Sequence, residues 1–318
     1  MNIVVLDGHT LNPGDLDWSA FEEMGSLTVY DVTAENEITE RAKDCEIVIT
    51  NKTPLRKETI SKLDKMKYIG VLATGYDVVD VGYAAEKGIV VTNIPAYGTD
   101  TVAEMTFALI FELYRSIHMH HEAVKAGEWS KCGEFCFWKK PIFELKGKTI
   151  GIIGYGRIGR CVAQLAAAFG MEILVYSRSR SSCYADIDCR HTSLEEVFRK
   201  SDIISLHCPL TDETRGIVCE GNISKMKKNA VLINTARGPL VDEYALASAL
   251  NDGRIAGAAV DVLSKEPALS DNPLMTAKNC IITPHIAWAA FEARCRLMNI
   301  AADNLRCFID GKPINTVQ

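Results

Sequence analysis

The chain has 318 residues, 47% hydrophobic and 24% charged, which are the proportions of a globular protein whose length favours two domains. Its formal net charge of −6 and the lack of any Lys/Arg run argue against a surface for nucleic acid or acidic membrane. No apolar run is long enough to span a membrane.

The N-terminus and the cysteines indicate the compartment. The segment Met1–Asp7 has no basic region ahead of its apolar residues, so we expect no signal peptide. The eleven cysteines are scattered and odd in number, which is typical of reduced thiols. Cys132 and Cys136 lack a second pair at zinc-like spacing, and we expect no metal site. These features predict a cytoplasmic protein.

The first hundred residues alternate short apolar runs with stretches of helical periodicity. This alternation predicts parallel strands joined by crossover helices in an α/β layer fold. The predicted strands are Ile3–Leu6, Thr28–Tyr30, Glu46–Thr50, Tyr68–Leu72 and Ile89–Thr92.

A long helical pattern follows from Thr101 to about Ala126, and it is apolar on more than one face. Such a helix is either sandwiched between domains or part of a subunit interface, and we favour the interface. His118, His120 and His121 near its end fall on different helix faces, which argues against a shared metal ion.

The segment Thr149–Gly159 predicts a strand, a glycine turn and the start of a helix. Gly154, Gly156 and Gly159 form the pattern G-x-G-x-x-G, which allows a tight turn, close approach of a pyrophosphate and close strand–helix packing. The helix N-terminus offers N–H groups to phosphate. The pattern alone also occurs in structural turns, but its place after a strand and before a helix favours dinucleotide binding.

A second series of strands and helices begins at this turn. Six strands are predicted, as in a doubly wound Rossmann domain: Thr149–Ile153, Ile173–Tyr176, Ile203–Leu206, Val231–Asn234, Ala258–Val262 and Ile281–Thr283. A helical stretch over 289–308 follows, and we expect it to return to the first domain. The expected division is a substrate domain of residues 1–98 and 289–318 and an inserted dinucleotide-binding domain of residues 99–288.

Arg237, Glu266 and His285 follow the last three of these strands, and ligands of such sheets bind beyond the carboxyl ends of the strands. Arg237 can hold a carboxylate with its planar fork. His285 can exchange a proton with a carbonyl oxygen, and Glu266 can orient the imidazole. Each residue alone could be an ordinary loop or surface residue, but together they favour reduction of a 2-keto acid.

The sequence resembles the D-isomer-specific 2-hydroxyacid dehydrogenases over nearly its whole length. The resemblance lies in the glycine turn and in several separate motifs: Ala73–Asp80, Asn93–Gly98, Asn234–Gly238, Asp261–Pro267 and Thr283–Trp288. It implies a flavodoxin-like substrate domain, an inserted Rossmann domain, a nicotinamide dinucleotide and a homodimer built on the 101–126 helix. It also implies that Arg237, Glu266 and His285 are catalytic.

The resemblance further implies binding residues. The substrate carboxylate is expected to contact Arg237 and backbone N–H groups of Ala73, Thr74, Gly75 and Tyr76. The implied cofactor contacts are Gly154, Gly156, Arg157, Ile158, Gly159, Ser177, Arg178, Pro209, Thr214, Thr235, Ala236, Arg237, Asp261, His285 and Trp288.

One position departs from the usual NAD-binding pattern. The second strand of a Rossmann domain normally ends in an acid that binds the ribose 2′-hydroxyl, whereas here Tyr176 is followed by Ser177, Arg178, Ser179 and Arg180. Without that carboxylate a 2′-phosphate is not repelled, and serine with arginine can bind it, so we favour NADP. In the alternative, Ser177 accepts NAD through its hydroxyl and both arginines stay in solvent.

Within the family, His285-Ile286-Ala287-Trp288 is similar to glycerate dehydrogenases (hydroxypyruvate reductases), and Glu266 argues against formate dehydrogenases. We therefore expect reduction of hydroxypyruvate or glyoxylate. A reductase of D-lactate type or of another short 2-keto acid is the first alternative. A dinucleotide-sensing corepressor is the second, because the C-terminal-binding-protein corepressors share the fold and the same Arg, Glu and His.

Overall fold

The computed structural model describes residues 1–178 and 187–317. The chain divides into two compact units, Met1–Gly98 with Ala289–Gln318, and Thr99–Trp288. Within the described residues, no helix has both the length and the apolar character needed to cross a membrane.

The first unit is a five-stranded parallel sheet covered by helices. Its strands lie in the order β2-β1-β3-β4-β5, which is the flavodoxin-like order and confirms that prediction. The strands are β1 (Asn2–Val5), β2 (Ser26–Val29), β3 (Ile47–Thr50), β4 (Tyr68–Val71) and β5 (Val90–Thr92). The helices are α1 (Ser19–Glu22), α2 (Ile38–Ala42), α3 (Lys57–Ile60), α4 (Val81–Glu86) and, after the second unit, α12 (Phe291–Ile309).

The central strands of this unit are buried along their whole length, as expected for apolar runs covered by helices on both faces. Helix α12 packs on β4, where the rings of Tyr68 and Phe308 have centroids 4.8 Å apart. Arg294 of α12 forms a two-point ion pair with Asp15, at 2.7 and 2.6 Å. The C-terminal helix is therefore an integral part of the first unit.

The second unit is a seven-stranded parallel sheet in the order β12-β11-β10-β9-β6-β7-β8. Its strands are β6 (Thr149–Ile153), β7 (Glu172–Tyr176), β8 (Arg190–His191), β9 (Ile203–Leu206), β10 (Val231–Asn234), β11 (Gly257–Val260) and β12 (Cys280–Ile282). Its helices are α5 (Thr99–Arg115), α6 (Ile117–Lys125), α7 (Glu128–Lys131), α8 (Arg157–Ala168), α9 (Leu194–Lys200), α10 (Glu220–Ile223) and α11 (Glu243–Asn251). The strand order reverses between β6 and β9, as in a Rossmann fold.

Successive residues of a strand contribute to cores on opposite faces of this sheet. Ile152 of β6 lies in a cluster with residues of α5 and α8, whereas Ile153 lies in the cluster on the other face. Both faces are thus apolar and covered, which leaves the ends of the strands as the places where polar groups can gather.

Two details differ from the sequence prediction. The pattern over 101–126 is not one helix, because Ser116 adopts a left-handed conformation (φ 50°, ψ 48°) that separates α5 from α6. The described part of the second unit has seven strands where six were predicted. The additional strand, β8, has only two residues and a charged composition, so no apolar pattern marks it.

Candidate active site

The glycine turn connects β6 to α8, and its three glycines serve different purposes. Gly154 has a positive φ of 97°, and a Cβ there would overlap the backbone at His207 and Cys208. A Cβ on Gly159 would overlap the carbonyl oxygen of Gly154. A Cβ on Gly156, by contrast, would meet no atom within 4 Å, so this residue faces open space at the start of α8. The turn therefore leaves room for a phosphate group at a helix N-terminus, and these residues fit a dinucleotide pyrophosphate.

Further residues that are expected to contact the cofactor lie on the loops after β7 and β9 and in the first turn of α8. Ser177 and Arg178 follow β7, while Arg180 falls outside the described residues. Thr214 is buried, and its hydroxyl donates to the Pro209 carbonyl at 2.7 Å, which closes the loop after β9. Arg157 is exposed and Ile158 is half-buried in the first turn of α8.

His207 directly follows β9, beside the glycine turn. Its Nε2 lies 2.7 Å from the Ser205 hydroxyl, and desolvation lowers the pKa of His207 to about 3. The imidazole is therefore neutral at physiological pH and adds no charge next to the turn.

The loop after β10 carries Arg237 on a turn that is fixed by Asn234. The buried Asn234 side chain accepts from the N–H of Ala236 at 3.0 Å and donates to the carbonyl of Arg237 at 2.9 Å. Arg237 is exposed, and its Nη1 donates to the Ala236 carbonyl at 2.7 Å. The hydroxyl of Thr235 lies 3.1 Å from that of Thr106 on α5.

Asp261 organises the loop after β12. Its side chain, in a residue only 1% exposed, accepts from the Thr283 hydroxyl at 2.6 Å and from the N–H groups of Ile286 and Ala287 at 2.9 and 2.8 Å. His285, between these donors, has a positive φ of 55°, which disfavours a side-chain-bearing residue. The carboxylate therefore stabilises the strained backbone that presents His285.

His285 forms a close pair with Glu266. Its Nδ1 lies 2.6 Å from Oε2 of Glu266, whose Oε1 accepts the Leu263 N–H at 3.1 Å. With Nδ1 donating to the carboxylate, Nε2 is left as the nitrogen that can exchange a proton with a ligand. The Trp288 indole N–H donates to the His285 carbonyl at 2.9 Å.

These three strand ends are neighbours, because β10, β11 and β12 are consecutive in the sheet. Their loops also touch through Gly238, since a Cβ on this glycine would overlap the backbone of Leu263 and Ser264. The sequence did not predict the structural roles of Gly238 and Thr283 or the backbone role of Asp261. For Gly238 the sequence offers one signal, the glycine itself directly after Arg237, because glycine is common where another backbone approaches closely.

The expected substrate loop lies in the first unit, after β4. The Ala73 carbonyl accepts from the N–H of Ile94 at 3.0 Å, and the Thr74 hydroxyl donates to the Ile94 carbonyl at 2.7 Å. Asn93 donates to the Thr74 carbonyl at 2.8 Å. The loop is thus tied to the segment after β5 through carbonyl and hydroxyl groups. Within residues 1–178 and 187–317, no group of three or more His, Cys, Asp or Glu side chains could hold a metal ion.

Comparison with known proteins identifies the fold and the chemistry together. Residues 107–287 match the model of the D-isomer specific 2-hydroxyacid dehydrogenase NAD binding domain. A hydroxypyruvate reductase of Blautia hydrogenotrophica is 49% identical over 320 residues, covering 100% of this chain and 99% of that protein. A glycerate dehydrogenase of Methylorubrum extorquens is 43% identical over 284 residues, covering 89% and 88%.

Two solved structures extend this comparison. An acyclic imino acid reductase in complex with NADPH and D-Arg is 35% identical, covers 100% of both chains and has a TM-score of 0.85. A D-lactate dehydrogenase of Aquifex aeolicus, complexed with NAD and lactic acid, is 33% identical, covers 97% and 96% and has a TM-score of 0.82. The resemblance and the Rossmann domain are thereby confirmed: the chain belongs to the D-isomer-specific 2-hydroxyacid dehydrogenase family and binds a nicotinamide dinucleotide.

Proposed function

We propose that this protein reduces hydroxypyruvate or glyoxylate to the corresponding 2-hydroxy acid, in the manner of a D-glycerate dehydrogenase. The observation that carries the proposal is the 2.6 Å pair of His285 and Glu266, presented beside the Arg237 turn at the carboxyl ends of adjacent strands. The hydroxypyruvate reductase and the glycerate dehydrogenase reported above support the substrate class.

His285 is the proton donor in this proposal. Its Nε2 would protonate the carbonyl oxygen during reduction and take the same proton back in the oxidation of the hydroxy acid. Glu266 holds Nδ1, fixes the ring orientation and stabilises the positive charge of the imidazolium by its own negative charge. Asp261 and Trp288 position His285 through its backbone: Asp261 accepts the N–H of Ile286, and Trp288 donates to the His285 carbonyl.

Arg237 is the proposed anchor for the substrate carboxylate. A guanidinium has five N–H donors in a planar fork, and Nη1 already donates to the Ala236 carbonyl. This bond orients the side chain while other donors can bind a carboxylate at two points. Backbone N–H groups of Ala73, Thr74, Gly75 and Tyr76 are proposed as further contacts for the same carboxylate.

The bound nicotinamide would supply the hydride. The residues proposed to hold the dinucleotide are those of the glycine turn with Arg157 and Ile158, together with Pro209, Thr214, Thr235, Ala236, Asp261 and Trp288. An acidic residue at the end of β7 would repel a 2′-phosphate, but this chain has Ser177 and Arg178 there. We therefore propose NADP as the preferred cofactor. The two solved relatives hold NADPH in one case and NAD in the other, so they support both as ligands of this fold.

A spectrophotometric panel tests this function. NADH and NADPH are each combined with hydroxypyruvate, glyoxylate, pyruvate and a bulky 2-keto acid, and absorbance at the reduced-nicotinamide band is followed. The proposal expects the highest kcat/KM with hydroxypyruvate or glyoxylate. Turnover of the bulky acid alone would contradict the substrate class, and an NADPH efficiency a tenth or less of that with NADH would contradict the cofactor preference. A protein that binds NADH but turns over no acid would instead support a sensing role.

We also propose that the protein is a homodimer that pairs through the 101–126 region and the segment that follows it. The apolar face of α5 is largely buried in its own unit, against α8, β10 and β11. The exposed apolar surface lies on α6 and after it, and it includes Ile117 (62% exposed), Trp138 (65%) and Phe135 (87%). The Lys139 N–H lies 3.1 Å from Nε2 of His120, which brings the segment after α7 next to α6, and exposed apolar surface in one region favours a protein interface.

Light scattering coupled to gel filtration tests the dimer. The native chain, of 35.0 kDa, is expected at twice this mass. Trp138→Glu should shift the protein toward the monomer, whereas Tyr244→Glu, which changes an exposed aromatic residue on α11, should not. A monomeric native protein, or a Trp138→Glu variant that dimerises like the native chain, would contradict this interface.

A further inference from the structure

An ion pair joins the loops on either side of the glycine turn. Nη1 of Arg178, after β7, lies 3.7 Å from Oε2 of Glu213, in the loop after β9. Strands β7 and β9 are the two neighbours of β6 in the sheet. The pair therefore reaches across the end of the strand that leads into the glycine turn, on the side where a Rossmann domain holds the adenosine ribose.

Glu213 is held in place independently of Arg178. The Thr211 hydroxyl donates to Oε2 of Glu213 at 2.7 Å, and the Thr211 N–H donates to Thr214 Oγ1, also at 2.7 Å. The hydrogen bond from Thr211 holds the pKa of Glu213 below its usual range, with a smaller lowering from the charge of Arg178. The carboxylate is thus ionised at neutral pH, and its hydrogen bond from Thr211 does not involve Arg178.

We propose that Glu213 limits the preference for NADPH by competing with its 2′-phosphate for Arg178. This inference rests on the proposed contact between Arg178 and that phosphate. A phosphate monoester carries a charge between −1 and −2 at neutral pH and pairs strongly with a guanidinium. Glu213 already pairs with the guanidinium and places a like charge close to the phosphate, which weakens NADPH binding. NADH has a neutral hydroxyl at this position, so Glu213 affects it far less.

The size of the effect follows from the exposure of the pair. The side chains of Arg178 and Glu213 are 61% and 72% exposed, so solvent screens their interaction. Removing the carboxylate charge should therefore tighten NADPH binding by roughly three- to five-fold rather than by orders of magnitude. The gain should shrink as salt is added, because both the competition and the repulsion are electrostatic.

The experiment measures dissociation constants of NADPH and NADH by calorimetry, without substrate, for the native protein and four variants. Glu213→Gln keeps the size of the side chain and removes its charge. Asp212→Asn is the matched control, since it removes an equal charge from the adjacent residue. Arg178→Gln tests the underlying contact, and the double variant of Arg178 and Glu213 tests whether the two effects depend on each other.

We expect Glu213→Gln to tighten NADPH with a much smaller change for NADH, and Asp212→Asn to change neither by more than about two-fold. Arg178→Gln should weaken NADPH, and in that background Glu213→Gln should give a clearly smaller gain. If Arg178→Gln weakens NADPH but Glu213→Gln leaves it unchanged or weakens it, the role of Glu213 is overturned and the Arg178 contact stands. If Arg178→Gln leaves NADPH unchanged, the proposed 2′-phosphate contact itself fails.

Discussion

Replacing Gly238 by alanine tests how the Arg237 turn and the Glu266 loop depend on each other. A Cβ on Gly238 would lie 1.9 Å from the carbonyl carbon of Leu263, whereas real Cβ contacts are essentially never shorter than 3.0 Å. One of the two backbones must therefore move by at least about 1.1 Å. The Leu263 N–H is a hydrogen-bond donor to Glu266, so the shift would disturb the carboxylate that holds His285.

A displacement of about 1 Å in catalytic geometry can reduce turnover on the order of 100-fold. We expect Gly238→Ala to lower kcat for hydroxypyruvate reduction by about this factor, with a much smaller change in Kd for NADH. The added methyl group should also cost about 1–3 kcal/mol of unfolding free energy, which corresponds to a fall in Tm of roughly 2–12 °C. The kinetic assay is therefore run at 20–25 °C, after circular dichroism has shown that the variant is folded.

Gly221→Ala is the matched control, because a Cβ on Gly221 in α10 would meet no atom within 4 Å. This variant should keep native kcat and Tm. A folded Gly238→Ala protein with kcat within about three-fold of the native value would show that this backbone contact does not position Glu266.

Three further predictions concern single side chains. Glu266→Gln should lower kcat about 10- to 100-fold with little change in Kd for NADH, because the carboxylate that holds Nδ1 of His285 is lost; a variant with native kcat would contradict this. Arg237→Lys should raise KM for hydroxypyruvate at least ten-fold but leave Kd for NADH nearly unchanged, since a lysine keeps the charge without the fork; a lysine variant with native KM would argue against two-point binding. His207→Gln should flatten the pH dependence of stability, measured by urea unfolding between pH 5 and 7. The folded pKa of about 3 is below the unfolded value of 6.5, so the unfolded state binds the proton first and stability falls as pH drops below about 6.5; equal slopes for both proteins would contradict this.

The sequence predicted the strands well, because their buried apolar runs are a local property. All five strands of the first unit, from Ile3–Leu6 to Ile89–Thr92, appear within one or two residues of their expected bounds. The break at Ser116 could not be predicted, since a serine in the left-handed conformation has no local signal comparable to Gly or Pro. The two-residue strand β8 was missed because its pairing with β7 depends on the edge of the sheet and not on its own composition.

The candidate site also combines features that the sequence predicts with features that it does not. The pairing of His285 with Glu266 could be expected from their positions after neighbouring strands, and the structure places them 2.6 Å apart. The hydrogen bonds of Asp261 and the packing of Gly238 depend on which backbone lies opposite, which only the folded chain defines. The ion pair of Arg178 with Glu213 joins residues 35 positions apart in sequence, and no motif links them.

We propose that His285, oriented by Glu266, gives its proton to the carbonyl of a short 2-keto acid. The most direct measurement compares kcat/KM for hydroxypyruvate in the native protein and in His285→Asn, with Kd for the dinucleotide measured alongside. We expect measurable turnover by the native protein and a loss of about 10²- to 10⁴-fold in the variant, with dinucleotide binding largely retained. A variant that keeps turnover within ten-fold of native, or a native protein without turnover, would contradict it.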